Sequence, residues 1–291
     1  GVSTIQDQVI KMHDKGPGRV SPLCVPNSII NMAAGNLGIE FDAQNTSQAI
    51  VTACASATNA IGNAYEYLKA GKADVIITGG SEASVNEIGI AGFASLTALS
   101  RATEADQASL PFDAQRNGFV LGEGAAALVL ETLDHAQARG AKILAEVVGY
   151  GTTSDAYHMT APDPTGKGAQ RAMAQAIAEA GITPADVDYV NAHGTATQAN
   201  DSAEAQAINR VFGADSNVLV SSTKGMTGHL LGAAGAIEAV ACVGAIQRQQ
   251  LPMNIGVHAQ DPECPVAPAG KTTNHPTDHH SHNTSFGFAR P

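Results

Sequence analysis

Short apolar runs of strand type alternate with longer alanine-rich segments of helical type along most of this chain, which restricts it to layered α/β folds. Strands are expected near Ala49–Ala53, Val75–Thr78, Ala125–Leu130, Leu144–Val148, Val187–Val190 and Val218–Ser221. Helices are expected near Ala55–Ala70, Leu133–Arg139, Gly168–Ala180, Asp201–Phe212 and Gly228–Gln247. That order predicts a mostly parallel sheet, and no linker or low-complexity stretch divides the 291 residues.

Small residues support close packing of those helices. Hydrophobic residues make up 44 % of the chain, charged residues only 15 %, and glycine occurs 30 times. The segment from Leu230 to Gln247 is rich in alanine and glycine and carries Glu238, so it reads as a buried central helix rather than a membrane span. A formal net charge of −11 argues against nucleic acid and against an anionic membrane surface as partners. Four scattered cysteines without a Cys-x-x-Cys pair indicate a reducing compartment, with neither a disulfide framework nor structural zinc.

One of those cysteines differs from the rest. Cys54, in Thr52-Ala-Cys-Ala-Ser-Ala57, falls between an apolar run and a helical segment that ends on Gly71. On a strand-to-helix turn, free backbone N–H groups and the helix dipole favour an anion, so the thiol pKa is expected to fall. The alternative is a buried cysteine acting as a small hydrophobe. Cys24 lies between prolines, Cys242 inside an apolar helix and Cys264 in a proline-rich loop, and none occupies such a turn.

Two histidines occupy comparable positions. His193 follows the run Val187–Val190 and is flanked by Gly194, Thr195 and Thr197. His229 follows the run Val218–Ser222 and the turn Thr223–Gly228, where it is expected to open the long small-residue helix. A single histidine is most often a hydrogen-bonded structural residue. Two at equivalent strand ends together with a cysteine at a third point to one pocket with a nucleophile and two imidazoles.

Six segments carry a resemblance. They are Thr52–Ala57, Asp113–Gly124, Asp155–Thr160, Asn191–Thr197, Ser221–Gly235 and Ser285–Phe288. In order and nearly end to end, they resemble the β-ketoacyl-acyl carrier protein synthase II family of elongating condensing enzymes. The resemblance implies a thiolase-like layered α-β-α-β-α fold, with residues 1–141 as the remainder of the N-terminal half and 142–291 as the C-terminal half. It also implies that the usual opening segment, about a quarter of a family chain, and the final strand are absent, so the chain reads as a fragment with an incomplete N-terminal half.

The activity implied is decarboxylative condensation of an acyl-enzyme thioester with malonyl-acyl carrier protein. Cys54 would carry the acyl group, His193 and His229 would stabilise the enolate through neutral N–H groups, and Lys224 and Glu238 would act as supporting charges. Thr195 and Thr197 would hold the pantetheine arm, Phe286 and Phe288 would gate the cysteine, and Thr160 would lie on the substrate path. No metal or organic cofactor is implied, because the phosphopantetheine arrives on the carrier protein. The implied setting is a cytoplasmic homodimer acting on acyl carrier protein, with Lys11, His13, Lys15 and Arg19 as a candidate docking patch. Other readings are a polyketide-type ketosynthase, another thiolase-fold acyltransferase, or a catalytically impaired fragment.

Three further patterns carry less. His275, His279, His280 and His282 share a proline-bearing loop without a carboxylate cage, which reads as solvated rather than metal-binding. Gly149-Tyr-Gly151 lacks the third glycine of a dinucleotide fingerprint, and no Gly-x-Ser-x-Gly elbow is present.

Overall fold

The computed structural model describes residues 1–270 and the backbone of residues 281–283. Three helices lead the chain, α1 (Val2–Lys15), α2 (Cys24–Ser28) and α3 (Met32–Glu40). After α4 (Ser56–Lys69) come β1 (Val75–Glu82), α5 (Glu87–Ser95), β2 (Gly124–Glu131) and α6 (Leu133–Ala138). The later part comprises α7 (Lys167–Ala180), β3 (Tyr189–Asn191), α8 (Gln198–Phe212), β4 (Leu219–Ser221), α9 (Lys224–Thr227), α10 (Ala234–Arg248) and β5 (Ser281–Asn283). Local chemistry sets several ends. The Asn86 side chain accepts the Gly89 N–H at the start of α5, and Gly181 in the left-handed region closes α7.

Two sheets result. β1 and β2 pair antiparallel, with Val75 opposite Glu131 and Glu82 opposite Gly124, while β4, β3 and β5 form a parallel sheet in that order. α10 packs against α4 and touches strands of both sheets, so it forms a central layer between them. α7 and α8 cover the parallel sheet, where Phe112, Met173, Ile177, Val190, Ile208 and Val220 make one buried apolar cluster. The stretch Leu231–Arg248 is apolar and long enough to cross a membrane by composition alone, yet α10 is enclosed by these layers and buries Glu238.

Glycines permit the close approach of the central layer. A Cβ on Gly235 of α10 would lie 2.0 Å from Thr58 Oγ1 on α4, and one on Gly80 of β1 would lie 2.7 Å from Ala57 Cβ. At Gly62 the added carbon would meet the Tyr150 ring at 2.2 Å. Gly62→Ala is therefore expected to destabilise the fold by about 1–3 kcal/mol through overpacking, despite the better helix propensity of alanine. Gly92→Ala in α5, where nothing lies within 4 Å, is expected to leave stability unchanged or raise it. Denaturant midpoints of the two variants check this contrast.

The structure departs from the sequence-based expectations in several places. Residues 49–52 and 144–148 form no strand: both run without a ladder partner among the described residues, and apolar composition alone does not supply one. Cys54 therefore follows an irregular segment and sits on a 3₁₀ turn, Ala53–Ala55, that leads into α4. The sheet that includes β1 is antiparallel, not parallel. The expected helix from Gly228 is interrupted: α9 ends at Gly228 with φ +71°, a 3₁₀ turn covers Leu231–Ala233, and α10 begins only at Ala234. Helices α1, α2, α3 and α5 have no counterpart among the expected elements.

Candidate active site

Three elements deliver the chemistry-bearing side chains. Cys54 sits ahead of α4 and is 1 % exposed. His193 lies two residues beyond β3, and Lys224 lies three residues beyond the neighbouring parallel strand β4. The Ser222 hydroxyl ties these two loops by donating to the Gly194 carbonyl at 2.7 Å. His229 is placed differently, because its N–H donates to the Val120 carbonyl at 2.7 Å and its own carbonyl accepts the Gly122 N–H at 3.0 Å. A Cβ at Gly122 would lie 2.7 Å from the Thr227 carbonyl oxygen, so that backbone approach requires glycine.

The three side chains converge. His229 Nε2 is 3.0 Å from Cys54 Sγ, and the His193 and His229 rings stand edge to face with centroids 5.2 Å apart. Phe119 packs edge-on to His229 at 5.2 Å and joins Cys54 and Leu231 in an apolar cluster with Phe93, Ala98, Leu99 and Leu121. A cavity of about 630 Å³ opens onto His193, His229 and Phe119 and is lined by Thr195, Thr197, His158 and Thr160 among others. The Thr195 and Thr197 hydroxyls lie 2.9 Å apart, and the Thr160 N–H donates to His158 Nδ1 at 3.2 Å. Phe286 and Phe288 lie outside the described residues, as do His275, His279 and His280.

Electrostatics define the protonation states. Burial, reinforced by the Lys224 charge, holds both His193 and His229 well below the usual imidazole range, so both are neutral at pH 7. The Leu231 N–H donates to His229 Nδ1 at 3.3 Å, which leaves the ring proton on Nε2, aimed at the sulfur. Cys54 corrects the expectation of a lowered thiol pKa. Burial pushes it up to about 12, and the opposing pull of Lys224 and of a backbone hydrogen bond does not compensate. Cys54 is thus a thiol at rest, beside an imidazole that donates a proton rather than accepts one.

Lys224 and Glu238, each 2 % exposed, form an ion pair beneath this pocket. Cys54 Sγ and ring nitrogens of His193 and His229 all lie within 4.8 Å of one another, a spacing that a transition metal ion could bridge. The nearby ammonium group and the proton on His229 Nε2 both oppose a bound cation.

A second group of side chains shapes the site: Asp201 and Glu204 lie outside the sequence motifs, and Asp113 and Arg116 lie within the segment Asp113–Gly124 but had no role assigned to them. Buried Glu204 on α8 accepts the N–H groups of His193 at 2.7 Å and Gly194 at 2.8 Å. Asp201 accepts the N–H groups of Phe112 at 2.9 Å and Ala196 at 3.2 Å, and burial raises its pKa. Arg116 is fully buried and donates to Asp261 at 2.5 Å, to Ser202 Oγ at 2.9 Å and to the Thr197 carbonyl at 3.2 Å. Asp113 accepts the N–H groups of His258 and Ala259, both at 2.7 Å. Glu204, Asp201 and Arg116 fix the loop that carries His193, Thr195 and Thr197, and Asp113 fixes the segment at His258. Only their placement i+3 on α8 and within Asp113–Arg116 hinted at pairing.

The neutral histidines make stability pH-dependent. With folded pKa values below the unfolded 6.5, the unfolded chain binds protons first on acidification, so stability is fully present above pH 6.5 and falls below it. The slope is expected to reach at most about 1.4 kcal/mol per pH unit for each histidine. His193→Asn and His229→Asn should each flatten the stability profile between pH 6.5 and pH 5, as read by denaturant unfolding.

Residues 1–136 match the β-ketoacyl synthase N-terminal domain, and residues 144–258 match the β-ketoacyl synthase C-terminal domain. The chain belongs to the β-ketoacyl synthase family. It is 50 % identical over 265 residues to 3-oxoacyl-[acyl-carrier-protein] synthase 2 of Staphylococcus aureus, covering 91 % of this chain and 66 % of that relative. The Synechocystis protein of the same name is 50 % identical over 266 residues, covering 91 % and 64 %. The chain thus spans slightly less than two thirds of these relatives.

Among solved structures, a type II PKS ketosynthase in complex with its acyl-carrier protein superposes with a TM-score of 0.90 at 32 % identity. That match covers 99 % of this chain and 72 % of the other. A β-ketoacyl synthase from Burkholderia phymatum gives a TM-score of 0.84 at 37 % identity, covering 100 % and 66 %. The fold of this chain is accordingly the thiolase-like layered α/β fold.

Proposed function

We propose that this chain carries the catalytic machinery of a β-ketoacyl-acyl carrier protein synthase that elongates fatty acids. The observation that carries the reading is the 3.0 Å contact of His229 Nε2 with Cys54 Sγ, with a second neutral imidazole, His193, at the same cavity. In the first half-reaction, the Cys54 thiol attacks the carbonyl of an acyl thioester, forming a new C–S bond as the bond to the carrier sulfur breaks. The thiol proton passes to the departing carrier thiolate. The second thioester, malonyl, loses carbon dioxide, and the two imidazole N–H groups stabilise the resulting enolate oxygen. The enolate carbon then attacks the acyl-cysteine carbonyl and expels the Cys54 thiolate, which takes up a proton from water, giving a 3-oxoacyl product two carbons longer.

Acyl carrier protein is the proposed donor and acceptor, with its pantetheine arm passing Thr195 and Thr197. The complex of a related ketosynthase with its own carrier protein supports this partner. Lys11, His13, Lys15 and Arg19 are proposed for docking on account of their charge, and all lie on α1 or the turn just after it. A cytoplasmic homodimer, a division of the chain near residue 141, and a reaction without metal or added cofactor complete the reading. Half identity to two proteins named 3-oxoacyl-[acyl-carrier-protein] synthase 2, against 32 % to the type II PKS ketosynthase, favours fatty acid elongation over polyketide extension. Incubation with acyl and malonyl carrier-protein thioesters is expected to release carbon dioxide and yield the 3-oxoacyl thioester. Turnover of neither thioester would refute the proposal.

A further inference from the structure

Ala53, immediately before the nucleophile, has φ +49°, a left-handed conformation that a non-glycine residue keeps only where its surroundings hold it. One restraint is local. Ser56 Oγ accepts the Thr52 N–H at 2.9 Å and donates to the Ala53 carbonyl at 2.7 Å. A second restraint reaches much further. The Thr52 hydroxyl donates to Asn59 Oδ1 at 2.6 Å, and Asn59 Nδ2 donates to the Tyr150 hydroxyl and, at 3.4 Å, to Thr152 Oγ1.

Tyr150 is itself anchored. Its ring lies against Gly62 in α4, and its N–H donates to Glu179 Oε2 on α7 at 2.8 Å. Glu179 also accepts hydrogen bonds from Lys69 and Tyr65 of α4. A hydrogen-bonded chain from Thr52 through Asn59 to Tyr150 therefore connects the nucleophile turn to a point fixed by two helices.

We propose that Asn59 and Tyr150 are positioning residues for the nucleophile, holding the Ala53 turn through Thr52 so that Cys54 Sγ stays against the His229 N–H. The assignment rests on Cys54 being the acyl-accepting nucleophile, and neither residue lies on the cavity that admits substrate. With the link cut, Ala53 relaxes toward negative φ and Cys54 swings away from His229. The sulfur then loses the donor that favours its thiolate and becomes harder to ionise.

Tyr150→Phe is the cleanest test, because it removes the hydroxyl and keeps the ring that fills the space at Gly62. Alkylation of each cysteine by iodoacetamide is followed by peptide mass mapping across pH, with partly exposed Cys24 as the internal reference. Tyr150→Phe, Asn59→Leu and Thr52→Val are each expected to slow alkylation of Cys54 at least about fivefold and move its pH profile upward, since misplacement of about 1 Å can cost far more. The rate at Cys24 should not change, and the double variant Asn59→Leu, Tyr150→Phe should be no slower than the slower single variant. A wild-type rate and profile at Cys54 in Tyr150→Phe overturns the proposal, and so does an equal change at Cys24, which signals general loosening. Alkylation requires no acyl transfer, so a chain that alkylates normally yet never accepts an acyl group counts against the proposed function and not against the positioning role.

Discussion

Replacing Cys54 by alanine is expected to abolish acyl transfer, by at least about a thousandfold, while decarboxylation of a malonyl thioester continues. The reason lies in the division of labour within the pocket. In the proposed reaction the sulfur would form the covalent bond, whereas the enolate would be stabilised by two imidazole N–H groups that remain when the sulfur is gone. His193→Ala and His229→Ala should each lower decarboxylation about a hundredfold, the usual cost of removing one preorganised donor. Release of labelled carbon dioxide from malonyl thioester measures this step apart from acylation. Unimpaired release in either histidine variant would remove that residue from the proposed role.

Lys224→Met should produce the largest loss of stability. Lys224 and Glu238 are both buried, and removing one partner of a buried pair typically costs about 3–5 kcal/mol because the other charge is left behind. The double variant Lys224→Met, Glu238→Leu should recover most of that loss. It should not recover the electrostatics of the site. Lys224 helps to hold His193 and His229 neutral and pulls the Cys54 thiol down against burial, so its removal raises all three pKa values. Thermal unfolding measures the first effect, and the pH dependence of decarboxylation in the double variant measures the second. A double variant as unstable as Lys224→Met would contradict the account of the pair.

The turns that carry Cys54, His193 and His229 were legible because their residue types and spacing are local properties of the sequence. So were β1, β2, β3, β4 and the helices α4, α6, α7 and α8, whose periodicity is strong. The supporting carboxylates were not. Glu204 and Asp201 look like the polar face of an ordinary helix, and their significance arises when α8 docks beneath the His193 loop. Arg116 is a similar case, since its partners Ser202 and Asp261 lie 86 and 145 positions away. The raised thiol pKa follows from enclosure of Cys54 by Phe119 and Leu231, which no segment of sequence displays. Segments 49–53 and 144–148 read as strands from apolar content, but a strand requires a neighbour, and pairing is non-local. α1 was readable in principle, yet its apolar residues Val2, Ile5, Val9 and Ile10 are exposed and stay outside the core.

The claim that Cys54 is the acyl-accepting nucleophile is tested most directly by incubating the chain with an acyl-carrier-protein thioester and mapping the adduct by mass spectrometry. One acyl group per chain is expected, carried on the peptide that contains Cys54, with Cys24, Cys242 and Cys264 unmodified. An acyl group on another cysteine, or an unmodified chain after prolonged incubation, would contradict it.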